Sequence, residues 1–132
     1  MGTVEQLVTR VVADGDGGSR FEDVRIELDQ ELRAGPQVGP LAMATLVQAL
    51  GAPEEVMLIA GDSSWSGEAP HPAPARLLWA ILSGDFEITV SDGSSRRFPT
   101  GALVLVEDTT GTGHSSRILD DGALALVLRL PA

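Results

Sequence analysis

Apolar residues along this chain come in short runs, alternating with polar positions or continuous, and Gly, Asp or Pro interrupts them about every ten residues. A period of two broken by turn residues is the pattern of strands in a sandwich or barrel. The candidate strands are residues 7–13, 21–28, 41–50, 55–60, 77–83, 86–91, 102–107 and 123–130, with Asp92-Gly93 supplying a tight hairpin turn. Eight strands suit a jelly roll.

Two segments allow another reading. Val4, Leu7, Val8, Val11 and Val12 also fit a helical stripe, and Thr3 with Gln6 could form a capping box. We take this segment as a strand. The stretch around Pro53-Glu54-Glu55 is helix-capable, so one short helix is allowed without changing the all-β expectation.

Length and composition then narrow the picture. At 132 residues the chain suits one domain spanning 1–132, able to bury roughly two thirds of its unfolded surface. With 43% hydrophobic and 21% charged residues, a folded globular protein is expected. A net charge of −10 sets the whole molecule against phosphate backbones and anionic membrane surfaces, so neither nucleic acid nor a membrane is an expected partner. There is no basic leader and no apolar run of membrane-spanning length, which makes a cytoplasmic location the expectation.

Missing residue types exclude chemistry outright. All nine basic residues are Arg, so a lysine Schiff base and a lysine-dependent phosphate loop are ruled out. The absence of Cys removes disulfides, thiolate nucleophiles and zinc–thiolate or iron–sulfur sites. No nucleophile elbow, P-loop or dinucleotide-binding glycine run is present. The stretch DGDGGSRFEDVR from Asp14 has the look of a calcium loop, but Gly18 and Arg25 stand at ligand positions, so a polar hairpin loop is the better account.

The stretch LSGDFEITVSDGSSRRFPTGALVLVEDTTGTGH resembles the conserved barrel of a small cupin, over residues 65–130, with weaker likeness in SRFEDVRIEL. The resemblance implies a double-stranded β-helix, or jelly-roll barrel. Cupins carry two motifs, G(X)5HXH(X)3-4E(X)6G and one resembling P-x-G-x-x-H-x-x-x-N, whose three histidines and one glutamate hold a divalent metal. Their glycine frames fall at Gly84 and at Pro99-Thr-Gly101. His71 stands where the first histidine belongs, whereas the other ligand positions read Ala73, Leu77 and Val104. A divalent transition metal needs at least three protein donors, so one of four is not a site. The expectation is a cavity that uses no metal and no cofactor.

Residues two apart on a strand share a face. If Leu77 and Val104 keep the inward ligand positions, then Trp79 and Ile81 on one strand, and Val106 and Asp108 on the other, face inward too. An interior with one large aromatic, several aliphatics and few polar groups describes a small-molecule pocket, or equally a filled barrel. Trp65, in a loop rich in Ser and Gly, is a candidate lid or anchor.

EDTTGTGH, from Glu107 to His114, resembles a string found in small cupin-like proteins that lack the full ligand set. An inward Asp108 can serve as a general acid or base, or can simply cap its own turn. His114 could be oriented by Asp108 or Glu107, or could be a structural histidine bonding a loop carbonyl. Arg76 and Glu68 flank His71 and could pair, or Arg76 could receive a ligand carboxylate.

The expected catalytic set is therefore Asp108, His71 and His114, with Trp65, Trp79, Leu77, Val104, Glu107 and Arg76 as substrate contacts. The leading expectation is a metal-independent enzyme acting by acid/base chemistry on a hydrophobic, oxygenated small molecule, in an isomerisation, cyclisation or dehydration. Analogy with other small metal-free cupins implies secondary metabolism, and cupin habit implies a homodimer. Two alternatives stand beside it. One is a non-catalytic small-molecule binder; the other is a metal-dependent oxygenase using His71, His114 and Asp108 as atypical ligands.

Overall fold

The computed structural model describes residues 4–28, 30–31, 46–47, 50–62, 64 and 69–132. Their elements are β1 (Val4–Ala13), β2 (Ser19–Leu28), β3 (Gln30–Glu31), β4 (Leu46–Val47), β5 (Glu55–Gly61), β6 (Arg76–Thr89), β7 (Ser95–Phe98), β8 (Leu103–Val106) and β9 (Ser115–Leu130). The all-β expectation is met, and no helix occurs among the described residues, at Pro53 or in the first segment. None there is long and apolar enough to cross a membrane.

Strands run in the order β2-β1-β8-β6-β9-β5, with β7 paired to β6 and the short β3 and β4 paired to each other. β1 runs parallel to β8 and antiparallel to β2, and the remaining pairs are antiparallel. This is a jelly-roll arrangement of an open sheet. β1 and β2 are joined by the Asp14–Gly18 loop, whose Asp14 carboxylate accepts the amides of Asp16 and Gly18 at 2.7 and 3.0 Å. The calcium-like stretch is a hairpin, as expected.

β6 and β9 form the long spine of the molecule, paired from Arg76 and Leu130 to Thr89 and Ser115. The expected break between strands 77–83 and 86–91 is instead a bulge within β6, with register shifts between Ile81, Ser83 and Asp85. Gly84 sits there at φ 72°, and a β-carbon on it would collide with the Gly122 carbonyl of β9. The glycine that reads as a terminator is what lets two bent strands stay paired.

Two further expectations are corrected, and a third lies mostly outside the described residues. β9 begins at Ser115 rather than 123, because the polar Asp120-Asp121-Gly122 stretch, which reads as a turn, is carried inside the strand. The Asp92-Gly93 turn forms, but its partner strand is the polar SRRF of β7, which alternation of apolar residues does not reveal. Of the expected strand at 41–50 only Leu46–Val47 is described as one, and 41–45 and 48–49 lie outside the described residues.

The inward alternation holds. Leu77 faces Val106 and Trp79 faces Val104 across β6 and β8. Ile81, Val104 and Val106 are buried, together with Val11, Phe86, Ala125 and Val127 in one apolar cluster that Trp79 packs against. Each such side chain contributes about 1.5–3 kcal/mol by leaving water, so this cluster fixes the frame around the site.

Candidate functional site

The Glu107–His114 string leaves β8, makes a tight loop and returns as β9. Two glycines shape it. Gly111 lies at φ 79° against the Gly17 carbonyl, which also accepts from the Thr112 amide and hydroxyl, both at 2.8 Å. Gly113 lies at φ 75° with its α-carbon directly over the His71 carbonyl, and its own carbonyl accepts the buried Ser19 hydroxyl at 2.6 Å. The loop is thus clasped by the β1–β2 hairpin on one side and by residues 71–73 on the other.

That clasp brings the two histidines together. The His71 amide donates to the His114 carbonyl at 2.9 Å and the His114 amide returns to the His71 carbonyl at 3.0 Å. Their rings lie 5.4 Å apart between centroids, tilted by 49°. His71 is half-buried, with Nδ1 3.0 Å from the Pro72 carbonyl oxygen.

Asp108 is fully buried, and its Oδ2 lies 2.6 Å from Nδ1 of His114, itself 7% exposed. In the tautomer whose Nδ1–H donates to Asp108, Nε2 is the acceptor of the ring, and the bond to Asp108 orients it. Asp108 does not cap its own turn: its carbonyl accepts the Ala73 amide at 2.9 Å, and the Thr109 amide goes to the Glu107 carbonyl. Asp108 Oδ1 is buried without a hydrogen-bond partner among the described residues.

His114 lines a cavity of about 20 Å³, enough for roughly one water. Seven apolar side chains make up the rest of its wall, among them Trp79, Ile81, Phe86 and Val104, with Ser116 as the other polar member. Trp79, Phe86 and Ser116 also line a broader cleft of about 430 Å³, bounded by β5 residues Ile59, Ala60 and Gly61 and by Asp62. That volume is in the range of small-molecule sites. Trp79 and Phe86 meet edge to face between the two spaces, 5.5 Å between centroids.

Glu107 and Arg76 are engaged with each other rather than with either space. Arg76 Nε donates to Glu107 Oε2 at 2.8 Å, and Arg10 Nε to Glu107 Oε1 at 2.6 Å, with Arg10 also bonded to Glu22. Burial pushes the Glu107 carboxyl up, but hydrogen bonds from Arg10 and Arg76, and their charges, outweigh it and hold its pKa below 4.5. The Glu107 carboxylate in turn raises the pKa of Arg10.

Of the expected contacts, Trp79 and Val104 reach the cavity wall and Leu77 is buried in the surrounding core. Trp65 and Glu68 lie outside the described residues. His71, His114 and Asp108 are neighbours, yet no group of three His, Asp or Glu side chains among the described residues is arranged to hold a metal ion. Ser116, Phe98 and Arg10 are additions of the structure. Ser116 was within reach of the alternation rule, two residues beyond His114, once 115–122 is known to be extended.

Fold and site together define a small jelly-roll protein with a buried aspartate bonded to a histidine that lines an apolar cavity. No family model matches the chain, and no curated protein matches it. Among solved structures it is similar to a cupin 2 conserved barrel domain protein from Leptotrichia buccalis, at 13% identity and a TM-score of 0.47, covering 98% of this chain and 70% of that one. It is also similar to a conserved protein of unknown function from Streptococcus pyogenes, at 23% identity and a TM-score of 0.47, covering 66% of this chain and 71% of that one.

Proposed function

We propose that the protein is a metal-independent enzyme that binds a small hydrophobic, oxygenated molecule and relocates one of its protons, in an isomerisation, cyclisation or dehydration. The carrying observation is the 2.6 Å hydrogen bond from buried Asp108 to His114, the histidine that lines the cavity. His114 Nε2 takes a proton from a substrate carbon, and the Asp108 carboxylate stabilises the imidazolium. The proton then returns to a second carbon or oxygen of the same molecule, so no outside reactant is consumed. His71, packed on the His114 ring, limits its rotation. A positioned base of this kind is worth roughly 10²–10⁴-fold in rate.

The test is deuterium incorporation from heavy water into a panel of cyclic ketones, enols and lactones, followed by NMR. His114→Gln is expected to lower exchange by about 10³-fold and Asp108→Asn by about 10²-fold. Exchange that is equal in wild type and His114→Gln would sink the enzyme reading.

One observation favours the binding module as a second reading. The broad cleft does not include His114 in its walls, so a ligand held only there would not meet the base. Binding without exchange is its signature.

The proposal extends to a single-domain cytoplasmic protein of secondary metabolism that works as a homodimer. β5 ends the strand path, and its Val56 and Leu58 are 57% and 67% exposed. An apolar sheet edge of this kind is normally covered.

A further inference from the structure

Trp79, in the cavity wall, carries a polar atom that nothing among the described residues bonds. Its Nε1 is buried and without a hydrogen-bond partner among the described residues. Leaving such a donor unmade forfeits the bond it would make with water, and buried indole N–H groups are normally paired. None of the described residues around it accepts this bond. Phe86 stands edge to face beside it, Val104 and Val127 lie across the strands, and neither of the polar members of the cavity wall, His114 and Ser116, is bonded to it. A Phe or Leu at 79 would fill this space without the cost.

Trp79 also has a particular place. It borders the small cavity that His114 lines and the 430 Å³ cleft that has room for a ligand. A ring compound entering from the cleft must pass or displace the Trp79–Phe86 pair to approach His114. The apolar walls select its body, and the orphan donor selects one acceptor oxygen on it.

We infer that Trp79 donates a hydrogen bond to the ligand, and that the ligand class is therefore an apolar ring compound bearing a carbonyl oxygen. This rests on the reading of cavity and cleft as the ligand site in the proposed function. An N–H bond to that oxygen withdraws electron density from the carbonyl and makes the neighbouring C–H more acidic, which is the proton a base such as His114 removes. Trp79 is thus a specificity-determining and polarising contact, with the proton itself handled elsewhere.

A matched pair of probes tests it: 1-tetralone, and tetralin, which has the same ring body without the oxygen. Binding of each is measured by titration calorimetry on wild type and Trp79→Phe. The ratio of the tetralin Kd to the tetralone Kd is expected to fall about tenfold in Trp79→Phe, the size of one lost hydrogen bond. In wild type the Trp79 indole N–H signal, assigned with Trp65→Phe, should move downfield with tetralone and stay in place with tetralin. This NMR reading needs no Trp79 variant and so does not depend on its folding.

An unchanged ratio with an unmoved indole signal overturns the inference. So does an indole signal held far upfield by the Phe86 ring before and after ligand, since the donor would then already be used, and so does failure of tetralone to bind up to its solubility. Deuterium exchange at the carbon next to the tetralone carbonyl separates the two proposals. A tenfold ratio without exchange keeps the carbonyl ligand and removes the enzyme; exchange lost in His114→Gln with an unchanged ratio in Trp79→Phe does the reverse.

Discussion

At Gly113 the backbone runs at φ 75°, and a β-carbon there would be driven into the His71 carbonyl. Gly113→Ala therefore combines a left-handed backbone with an overlap against main chain, which cannot swing aside as a side chain can. We expect a loss of roughly 3 kcal/mol, or about 10 °C in Tm, with the His71–His114 pairing broken. Thermal unfolding measures the first part, and the histidine ring signals by NMR the second. An Ala variant as stable as wild type would show that the loop does not need this approach. Asp108 and His114 were legible as candidates in sequence because both stand in one short string with turn glycines between them. Their bond to each other was one of several readings, since a turn cap, a histidine bonded to a loop carbonyl and an aspartate–histidine bond begin from the same residues. The orphan Trp79 donor was not legible at all: a missing partner is a property of everything around it.

Among the elements, β1, β6 and the end of β8 are tied at one point, where Arg10 and Arg76 converge on Glu107. The Glu107 pKa is lowered in the folded protein, so folding favours its ionised form. That contribution is present above the ordinary value of 4.5 and is lost as pH falls through the lower folded value. Glu107→Gln should cost about 1–2 kcal/mol at neutral pH, since both arginines are partly in water, and should flatten the fall of Tm below about pH 4.5. If the variant's Tm falls with acid as steeply as wild type's, the acid response lies elsewhere. This three-element tie could not be read from the chain, because Arg10 lies 97 positions from Glu107. The strands themselves were largely readable by alternation. It failed at β7, whose polar sequence is held by pairing and charge, and at Gly84, where a residue that commonly ends a strand instead bends one.

At the scale of the whole molecule, the exposed Val56 and Leu58 on β5 make the proposed homodimer testable. Leu58→Glu should yield a monomer by light scattering with little change in its secondary structure, whereas a wild type already monomeric at all concentrations would remove the dimer. The all-β architecture followed from turn spacing, while the parallel contact of β1 with β8 and the shape of the cavity arise only when distant segments meet. The clasp on the 108–114 loop has a kinetic side. Its anchors, Ser19 to Gly113 and Gly17 to Thr112, join positions 94 and 95 apart in the chain. Closing such spans costs chain entropy before any contact repays it. The histidine bearing the proposed chemistry is therefore set in place by a highly non-local step of folding, and any local opening of the first hairpin leaves that histidine without the framework that aims it.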